Sequence, residues 1–144
     1  MTEVTFHINA PDRVTYACRL LRKAVSSGAK VVVTGMPAIL QQLDIALWTF
    51  SPTDFVPHCQ FPGEAQMVAA SPVILTSTTQ RLPHHQVLLN LGHLVPDGVP
   101  EFERVIEIVT LDDEDRQYAR KRWKQYVDGG YAIASHDLSL ADRS

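Results

Sequence analysis

Two periods of hydrophobic and polar positions follow one another near the N-terminus. "EVTFHI" alternates apolar and polar residues, which is typical of a strand with one buried face. From Asp12 to Gly28 the apolar residues recur every three or four positions instead, as they do on the buried side of a helix. Asp12 can cap the start of this helix, and Gly28 can end it. The pattern therefore predicts a strand followed by a helix.

The same succession then repeats, and the chain continues mainly as strands. "KVVVT" is a short continuous apolar run, which is typical of a strand that is covered on both faces. "GMPAILQQLDIALW" predicts a second helix, with Pro37 near its first position. The residues that this helix is expected to bury are Ile39, Leu40, Leu43, Ala46 and Leu47. The remaining predicted elements are strands at "PVILTS", "QVLLNL" and "ERVIEIV" and a last helix in residues 112–130.

The order of these elements predicts the fold class. Strands that alternate with helices at this spacing favour the α/β class. We expect a single domain over residues 1–144, with a largely parallel central sheet flanked by helices in a Rossmann-like, three-layer arrangement. Residues 131–144 are expected to form a tail, and the sequence leaves open whether it is ordered or flexible. Neither G-x-x-x-x-G-K-[ST] nor G-x-G-x-x-G occurs, so the fold is predicted to lack a phosphate loop.

Composition restricts the function classes without selecting one. The apolar fraction of 45% and the charged fraction of 20% are ordinary for a soluble globular chain. The net charge of −3 does not suit a protein that coats nucleic acid, so any basic site must be local. No secretory signal and no membrane-spanning apolar run is visible, and Cys18 and Cys59 do not form a C-x-x-C pair. These features predict a cytoplasmic protein with reduced thiols and no membrane partner.

Residues 112–130 hold over a third of the 13 Lys and Arg residues of the chain. Four acidic residues come first, and the cations follow. On a helical wheel Arg116, Arg120 and Lys124 form one continuous ridge about 80° wide, the cationic ridge. Trp123 lies at the border between this ridge and an apolar strip. The sequence therefore predicts a helix with a charged side and an aromatic edge.

Two interpretations of this helix remain open at this stage. Acids before cations suit the helix dipole, so the helix can be a solvated amphipathic element packed through Ala119, Tyr126 and part of Trp123. Alternatively, the cationic ridge offers charge for a carboxylate and Trp123 offers a flat wall for a ring, which suits an acidic peptide ending in an aromatic residue. A phosphate backbone with stacked bases would use the same two features. The residues themselves leave protein and nucleic acid open as partners.

Residues 49–66 interrupt the rhythm of strands and helices. This segment contains three prolines and three of the 5 phenylalanines, and no Lys or Arg occurs between Lys30 and Arg81. The pattern predicts a long loop. The loop either folds onto the domain, with Trp48 and Phe55 closing the core, or serves as a contact surface.

Two stretches carry a resemblance to a known family. "LDIALWTFSPTDFVPH" contains L-D-x-x-L-W followed by F-V-P-H, and "RQYARKRWKQYVDGGY" contains A-R-x-R-aromatic-K-x-Y followed by Gly. Together they resemble the chi subunit of bacterial DNA polymerase III. The likeness extends from the first strand to about Tyr131.

The resemblance implies a function in DNA replication. Members of that family are non-catalytic accessory subunits of the clamp loader, within a DNA-directed DNA polymerase complex. They bridge the psi subunit to the acidic C-terminal tail of single-stranded DNA-binding protein, which ends in Phe. For this chain the resemblance therefore implies no intrinsic activity, no cofactor, no metal, a replisome-associated cytoplasmic location and mostly indirect contact with DNA.

The resemblance also assigns residues to the two partners. Arg116, Arg120 and Lys124 would meet the carboxylates of the tail, while Trp123 and Val109 would form the pocket for its last Phe. Trp123 stands where familiar members carry Tyr, so this pocket wall lacks a phenolic hydroxyl. The psi interface would lie in the segment rich in Phe and Pro. Its expected residues are Trp48, Phe50, Phe55, Val56 and Pro57.

Other functions compete with this assignment. The first is direct binding of single-stranded DNA through the helix at residues 116–126, against which the net charge of −3 and the short basic patch both count. The second is an enzyme with a nucleophile–base dyad of Cys59 and His58. A metal site at His84 and His85 is not expected, because adjacent residues of a strand point to opposite faces.

Overall fold

The computed structural model describes residues 2–49, 57–61, 71–77 and 82–141. Its strands are β1 (Glu3–Ala10), β2 (Val31–Thr34), β3 (His58–Phe61), β4 (Val73–Thr76), β5 (Val87–Asn90), β6 (Arg104–Thr110) and β7 (Ala132–Asp137). Its helices are α1 (Arg13–Ser26), α2 (Pro37–Thr49), α3 (Asp113–Asp128) and α4 (Leu138–Ala141), together with a 3-10 helix at Val99–Glu101.

The strands form one sheet in which every paired neighbour runs parallel. Their order across the sheet is β3-β4-β2-β5-β6-β1-β7. Every residue of β2, β4 and β5 is buried, as expected for continuous apolar runs in the middle of a parallel sheet. The predicted α/β class with a largely parallel sheet is confirmed.

Helices cover both faces of the sheet and give three layers. Val31 and Val33 of β2 point into a core cluster shared with buried residues of α1 and α2. Val32, between them, points into a second cluster shared with Ala119 and Tyr126 of α3. Successive residues of a strand face opposite sides of the sheet, so one short strand supports both cores. Helix α3 is therefore fixed on the face opposite to α1 and α2.

The predicted ends of the first two helices agree with the structure. The Asp12 side chain accepts a hydrogen bond from Thr15 N at 2.9 Å, which caps α1. Gly28 follows the end of α1 with φ 86°, a left-handed conformation that glycine adopts without steric cost. Helix α2 begins at Pro37. Of its predicted stripe, Leu40, Leu43 and Leu47 are buried, and Ile39 and Ala46 pack against the core while partly exposed.

The expectation of a tail from residue 131 onward is wrong for the described residues there. Ala132–Asp137 form β7, which pairs with β1 along its whole length. Most β7 residues are exposed, so the sequence "AIASHD" carries no apolar run by which the strand could be recognised. Its position depends on main-chain hydrogen bonds to a strand over a hundred residues earlier in the chain. A local pattern does not contain that information.

The long loop expected at residues 49–66 also needs correction. His58–Phe61 form β3, an edge strand parallel to β4. Pro57 and Pro62 stand immediately outside it. Proline is tolerated next to an edge strand, so a proline on each side of a short segment does not exclude a strand. In the part of the chain that the structure describes, no helix has both the length and the apolar character to cross a membrane.

Candidate binding site on helix α3

The start of α3 is tied to two neighbouring elements by one carboxylate. Asp112 caps the helix by accepting a hydrogen bond from Asp115 N at 3.0 Å. The Asp115 side chain turns back and accepts hydrogen bonds from Thr110 N at 2.8 Å and Thr110 Oγ1 at 2.9 Å. Its other oxygen forms an ion pair with Arg13 of α1. The first turn of α3 is thereby joined to the end of β6 and to the start of α1.

The environment of Asp115 favours its charged form. Burial alone would raise the pKa of this carboxyl, because it removes the charge from water. The hydrogen bonds from Thr110 and the positive charge of Arg13 act in the opposite direction and together hold the pKa below its ordinary value. Asp115 is therefore an ionised anchor and not a group that titrates near neutral pH.

A buried polar network holds the inner side of α3 against the sheet. Arg122 is only 2% exposed, and its Nε donates to Glu107 Oε1 at 2.9 Å. The Tyr126 hydroxyl donates to Glu107 Oε2 at 2.7 Å, and Asn90 Nδ2 donates to the same oxygen at 2.9 Å. Arg122 Nη1 also donates to the carbonyl of His93 at 3.1 Å. Glu107, Arg122, Tyr126 and Asn90 form a network in which each member has a partner.

The charges in this network compensate one another inside the protein. Burial raises the pKa of the Glu107 carboxyl, while the charge of Arg122 and hydrogen bonds from Asn90 and Tyr126 lower it. Burial and the neighbouring carboxylate raise the pKa of Tyr126 far above its usual range. Arg122 and Tyr126 of α3 and Asn90 of β5 all donate to the Glu107 carboxylate of β6. These contacts leave α3 little freedom to rotate about its axis.

The network was not predicted, although the helical wheel contained a signal for it. Advancing about 100° per residue from Arg116 places Asp115 near 260° and Arg122 near 240°, beside the apolar position of Tyr126 near 280°. Two charged residues therefore lie on the buried side of the helix. Charged side chains are rarely buried without a partner. Their position predicts buried partners, but the wheel cannot identify Glu107 or Thr110 as those partners.

An open pocket of about 490 Å³ lies beside α3, on the side away from Arg122. Residues from β1, the end of β6, α3 and β7 surround it, and we call it the α3 pocket. Its lining consists of Phe6, Ile8, Asn9, Val109, Arg116, Ala119, Arg120, Trp123 and Ser135. Most of the lining is apolar or aromatic, and the charged members are two arginines. The α3 pocket therefore offers an apolar cavity with positive charge at its edge.

Trp123 forms one wall of the α3 pocket and remains accessible. Its side chain is 39% exposed, and its ring centroid lies 4.9 Å from that of Phe6, at an interplanar angle of 53°. Phe6 in turn packs edge-on against Tyr126, with centroids 5.9 Å apart. The indole is therefore supported from below by the core, and one surface is left for a ligand.

The three residues of the cationic ridge differ in their surroundings. Arg116 is partly buried and donates a hydrogen bond from Nη2 to Asn9 Oδ1. Arg120 is exposed and has no hydrogen bond or ion pair within the described residues. Lys124 is exposed and is not among the residues that line the α3 pocket. Of the five residues assigned to the partner tail, Val109, Arg116, Arg120 and Trp123 thus meet in one cavity, and Lys124 lies outside it.

A second cleft, of about 670 Å³, lies at the carboxyl ends of β2 and β5. Its lining includes Thr34, Asn90 and His93, and the Tyr118 ring stacks on His93 with centroids 4.1 Å apart. Its lining contains no Lys or Arg among the described residues. The second cleft therefore lacks the charge that a carboxylate ligand requires, and the α3 pocket is the better candidate for such a ligand.

The residues assigned to the psi interface are only partly described. Trp48, near the end of α2, is 61% exposed, so it does not close the core. Its ring packs against the ring of His58, with centroids 5.3 Å apart. Pro57 is exposed. Phe50, Phe55 and Val56 lie outside the described residues.

Two histidines of the alternative chemical sites, His58 and His85, each lie near a carboxylate. His58 is buried, and its Nε2 lies 3.0 Å from Asp44 Oδ1. The side chain of Cys59, the other member of the predicted dyad, lies outside the part of the chain that the structure describes. His85 Nε2 lies 3.7 Å from Glu101 Oε2. Within residues 2–49, 57–61, 71–77 and 82–141, no group of three or more metal-ligating side chains comes together.

Comparison with known proteins gives one consistent result. Residues 1–134 match the protein family described as DNA polymerase III chi subunit, HolC. DNA polymerase III subunit chi of Pseudomonas aeruginosa is 34% identical over 143 residues, covering 96% of this chain and 98% of the relative. The subunit of the same name from Haemophilus influenzae is 30% identical over 123 residues, covering 85% of both chains. That of Escherichia coli K12 is 30% identical over 92 residues, covering 64% of this chain and 62% of the relative.

Proposed function

The chain belongs to the chi subunit family of DNA polymerase III and so has an accessory role in replication, and we propose that it bridges two partners there. One partner is the psi subunit of the clamp loader. The other is the acidic C-terminal tail of single-stranded DNA-binding protein, which ends in a Phe with a free carboxylate. In this role the protein supplies binding surfaces and leaves the chemistry to other subunits.

The observation that carries the proposal is the composition of the α3 pocket. Val109 and Ala119 give it an apolar floor, Trp123 gives it an aromatic wall, and Arg116 and Arg120 stand at its edge. A terminal Phe needs both features, because its ring must leave water while its carboxylate must keep charged hydrogen-bond partners. A single pocket therefore suits both ends of the last residue of the tail.

Simple energetics suggest a modest affinity. Burial of one Phe ring contributes about 1.5–3 kcal/mol. Each charge-assisted hydrogen bond to a carboxylate contributes about 1.5–3 kcal/mol at most, and less where water has access. Ordering of a flexible peptide offsets part of this gain, so a dissociation constant on the order of micromolar is expected. The affinity should fall as salt rises, because exposed charges are screened.

Lys124 has a different part in this proposal. It is exposed and lies outside the lining of the α3 pocket, about one helical turn beyond Arg120. We assign it to the acidic residues that precede the terminal Phe, and not to the ring or the terminal carboxylate. Its replacement should therefore weaken binding less than replacement of Arg120.

A fluorescence titration tests the tail-binding site. The chain has 2 Trp residues, so a Trp48→Phe background leaves Trp123 as the sole indole reporter. A short peptide with several acidic residues and a C-terminal Phe should change its emission and saturate. Arg120→Ala should weaken binding, whereas Lys121→Ala is the matched control, because this cation on the same helix does not line the α3 pocket. Equal affinities for the Arg120→Ala and Lys121→Ala variants would overturn the proposed site.

The psi interface is supported by family membership and by exposed apolar side chains on α2. Trp48 is 61% exposed and Ile45 is 57% exposed. Co-purification of this chain with its psi subunit should be lost with Trp48→Ala and kept with Leu94→Ala, a control at another exposed apolar position. Retention of psi by the Trp48 variant would place that interface elsewhere.

Direct binding of single-stranded DNA by residues 116–126 has less support. Arg122 is buried against Glu107, so one cation of this segment is not available to a phosphate. A titration with a single-stranded oligonucleotide at low salt, with no partner protein present, separates the two functions. Binding of the oligonucleotide more tightly than the acidic peptide would favour the nucleic-acid function.

A further inference from the structure

Strand β1 contains an extra residue next to the α3 pocket. Along its pairing with β6, His7 lies opposite Ile108 and Ala10 lies opposite Thr110, so three steps on β1 match two steps on β6. Such a β-bulge changes the direction of a side chain and is frequent next to functional sites. Asn9 lies within this bulge and is the non-glycine residue with positive φ, 63°, among the described residues. Asparagine tolerates that backbone conformation better than most residues.

The bulge directs the Asn9 amide between two charged groups. Its Nδ2 donates to Asp137 Oδ1 at 2.9 Å, and its Oδ1 accepts from Arg116 Nη2. Asp137 can only accept, and Arg116 can only donate, so the two ends of the amide are not interchangeable. Asp137 is itself held by Ser139, whose N and Oγ donate to the same carboxylate at 3.0 and 2.6 Å. The Arg116 guanidinium is thereby connected to β1 and to the end of β7.

We propose that Asn9 is a positioning residue that holds the Arg116 guanidinium at the edge of the α3 pocket for a carboxylate ligand. This inference rests on the proposed function of that pocket. A free arginine side chain has many rotamers, and fixing one before binding reduces the entropy lost when the ligand arrives. Asn9 occupies one of the five N–H donors of Arg116 and leaves the others for the ligand.

The chemistry of the acceptor supports positioning over simple neutralisation. An amide oxygen is uncharged, so it orients the guanidinium and leaves its positive charge uncompensated. A carboxylate at the same place would pair with Arg116, just as Glu107 pairs with the buried Arg122. It would then compete with a carboxylate ligand for the guanidinium. The buried side of α3 thus uses an acidic partner, and the open side uses a neutral one.

The hydrogen bond between Asn9 and Arg116 is not needed to hold α3 in place. The first turn is already joined to Arg13 and Thr110 through Asp115, and the buried polar network holds the inner side. Glycine at position 9 would keep the positive φ without strain while removing the amide. Asn9→Gly removes the hydrogen bonds to Arg116 and to Asp137 but relieves the positive φ, so the melting temperature should change little and the main effect should fall on the side chain of Arg116.

A double-variant titration with the acidic, Phe-terminated peptide tests the positioning role. Asn9→Gly should weaken binding about three- to tenfold, the range expected when one long side chain must be ordered by the ligand. Arg116→Ala should weaken it about tenfold or more, because a charged donor is lost. The double variant should bind no more weakly than Arg116→Ala alone, since Asn9 acts through Arg116. An unchanged affinity for Asn9→Gly, or losses that multiply, would overturn the inference.

A second measurement separates this inference from the proposed function. Side-chain NMR relaxation of arginine Nε–H groups, with no peptide present, should show Arg116 more ordered than Arg120 in the wild-type chain. In Asn9→Gly the order of Arg116 should fall to that of Arg120. If Arg116 is equally mobile in both proteins, Asn9 does not position it. If the wild-type chain fails to bind the peptide while Arg116 loses order in the variant, the function fails and the positioning contact stands.

Discussion

The two sides of helix α3 use arginine in opposite ways. Arg122 on the inner side is 2% exposed and is paired with Glu107, whereas Arg120 on the outer side is exposed and has no partner within the described residues. Arg116 is intermediate, since it is partly buried and bonded to a neutral amide. These arginines lie within two turns of one helix. Residue type alone therefore does not separate a structural cation from a proposed binding cation, whereas burial and an acidic partner do.

The difference also explains how an acidic protein presents a basic site. The net charge of the chain is −3, but the positive charge at the α3 pocket is local. On the inner side the buried Arg122 is paired with the carboxylate of Glu107, so its charge is compensated locally. On the outer side the hydrogen-bond acceptor of Arg116 is uncharged. We therefore expect stability to depend on the inner side of α3, and affinity for the proposed ligand to depend on the outer side.

The largest expected effect is on the inner side of the helix. Arg122→Met would leave the Glu107 carboxyl buried without its cation. Burial already raises the pKa of Glu107, so its charged form would lose its main stabilising partner. We expect the free energy of unfolding to fall by about 3–5 kcal/mol, as for other buried ion pairs that lose one partner. Urea denaturation measures this change. The double variant Glu107→Gln with Arg122→Met should recover most of the loss, and a single variant within about 1 kcal/mol of wild type would contradict the assignment.

Asp115 gives a smaller effect with a defined pH dependence. Because its pKa in the folded chain lies below the ordinary 3.8, its stabilisation is fully present above that value and is lost as pH falls through the folded pKa. Asp115→Asn should lower the free energy of unfolding at neutral pH by about 1–3 kcal/mol. The loss relative to wild type should shrink under acid conditions, as measured by denaturation at several pH values. A difference that grows with acid would contradict the sign.

The sequence predicted the outer side of α3 better than the inner side. Alternation, caps and the helical wheel were sufficient for the main strands, for helices α1, α2 and α3 and for the cationic ridge of α3. The partners of Asp115 and Arg122 were missed, because Arg13, Thr110 and Glu107 reach them only through the tertiary packing. Asn9 and Ser135 were missed as well, since they meet the α3 pocket only through the pairing of β1 with β7. Strand β7 itself is too polar to be recognised locally.

The outer side should affect affinity without affecting stability. Arg120→Ala removes an exposed side chain, so its free energy of unfolding should stay within about 0.5 kcal/mol of wild type. Its affinity for the acidic peptide should fall by about 1–2 kcal/mol, less than a fully buried charged hydrogen bond would give. The affinity should also depend less on salt concentration, because one charge is missing. If Arg120→Ala lowered the free energy of unfolding as much as the binding free energy, the outer side of α3 would not differ from the inner side in this respect.

A separate effect, limited to the pH dependence of stability, concerns His7, which lies two residues before Asn9 of the α3 pocket on β1. Burial, and then the nearby His136, lower the pKa of His7 to about 4 from its ordinary 6.5. The unfolded chain therefore takes up a proton at a higher pH than the folded chain, so stability should decline as pH falls from 6.5 to about 4. His7→Gln should reduce this decline in denaturation experiments. An equal decline in both proteins would exclude His7 as its source.

We propose that the open side of α3 binds the acidic, Phe-terminated end of another protein. NMR titration of the ¹⁵N-labelled chain with such a peptide tests it most directly, because the indole signals of the 2 Trp residues report two separate surfaces. Such binding should produce saturable shifts for the Trp123 indole and for the amides around Val109 and Arg120, and leave the Trp48 indole unchanged. Shifts centred on Trp48, or no shifts at Trp123 at peptide concentrations well above micromolar, would contradict it.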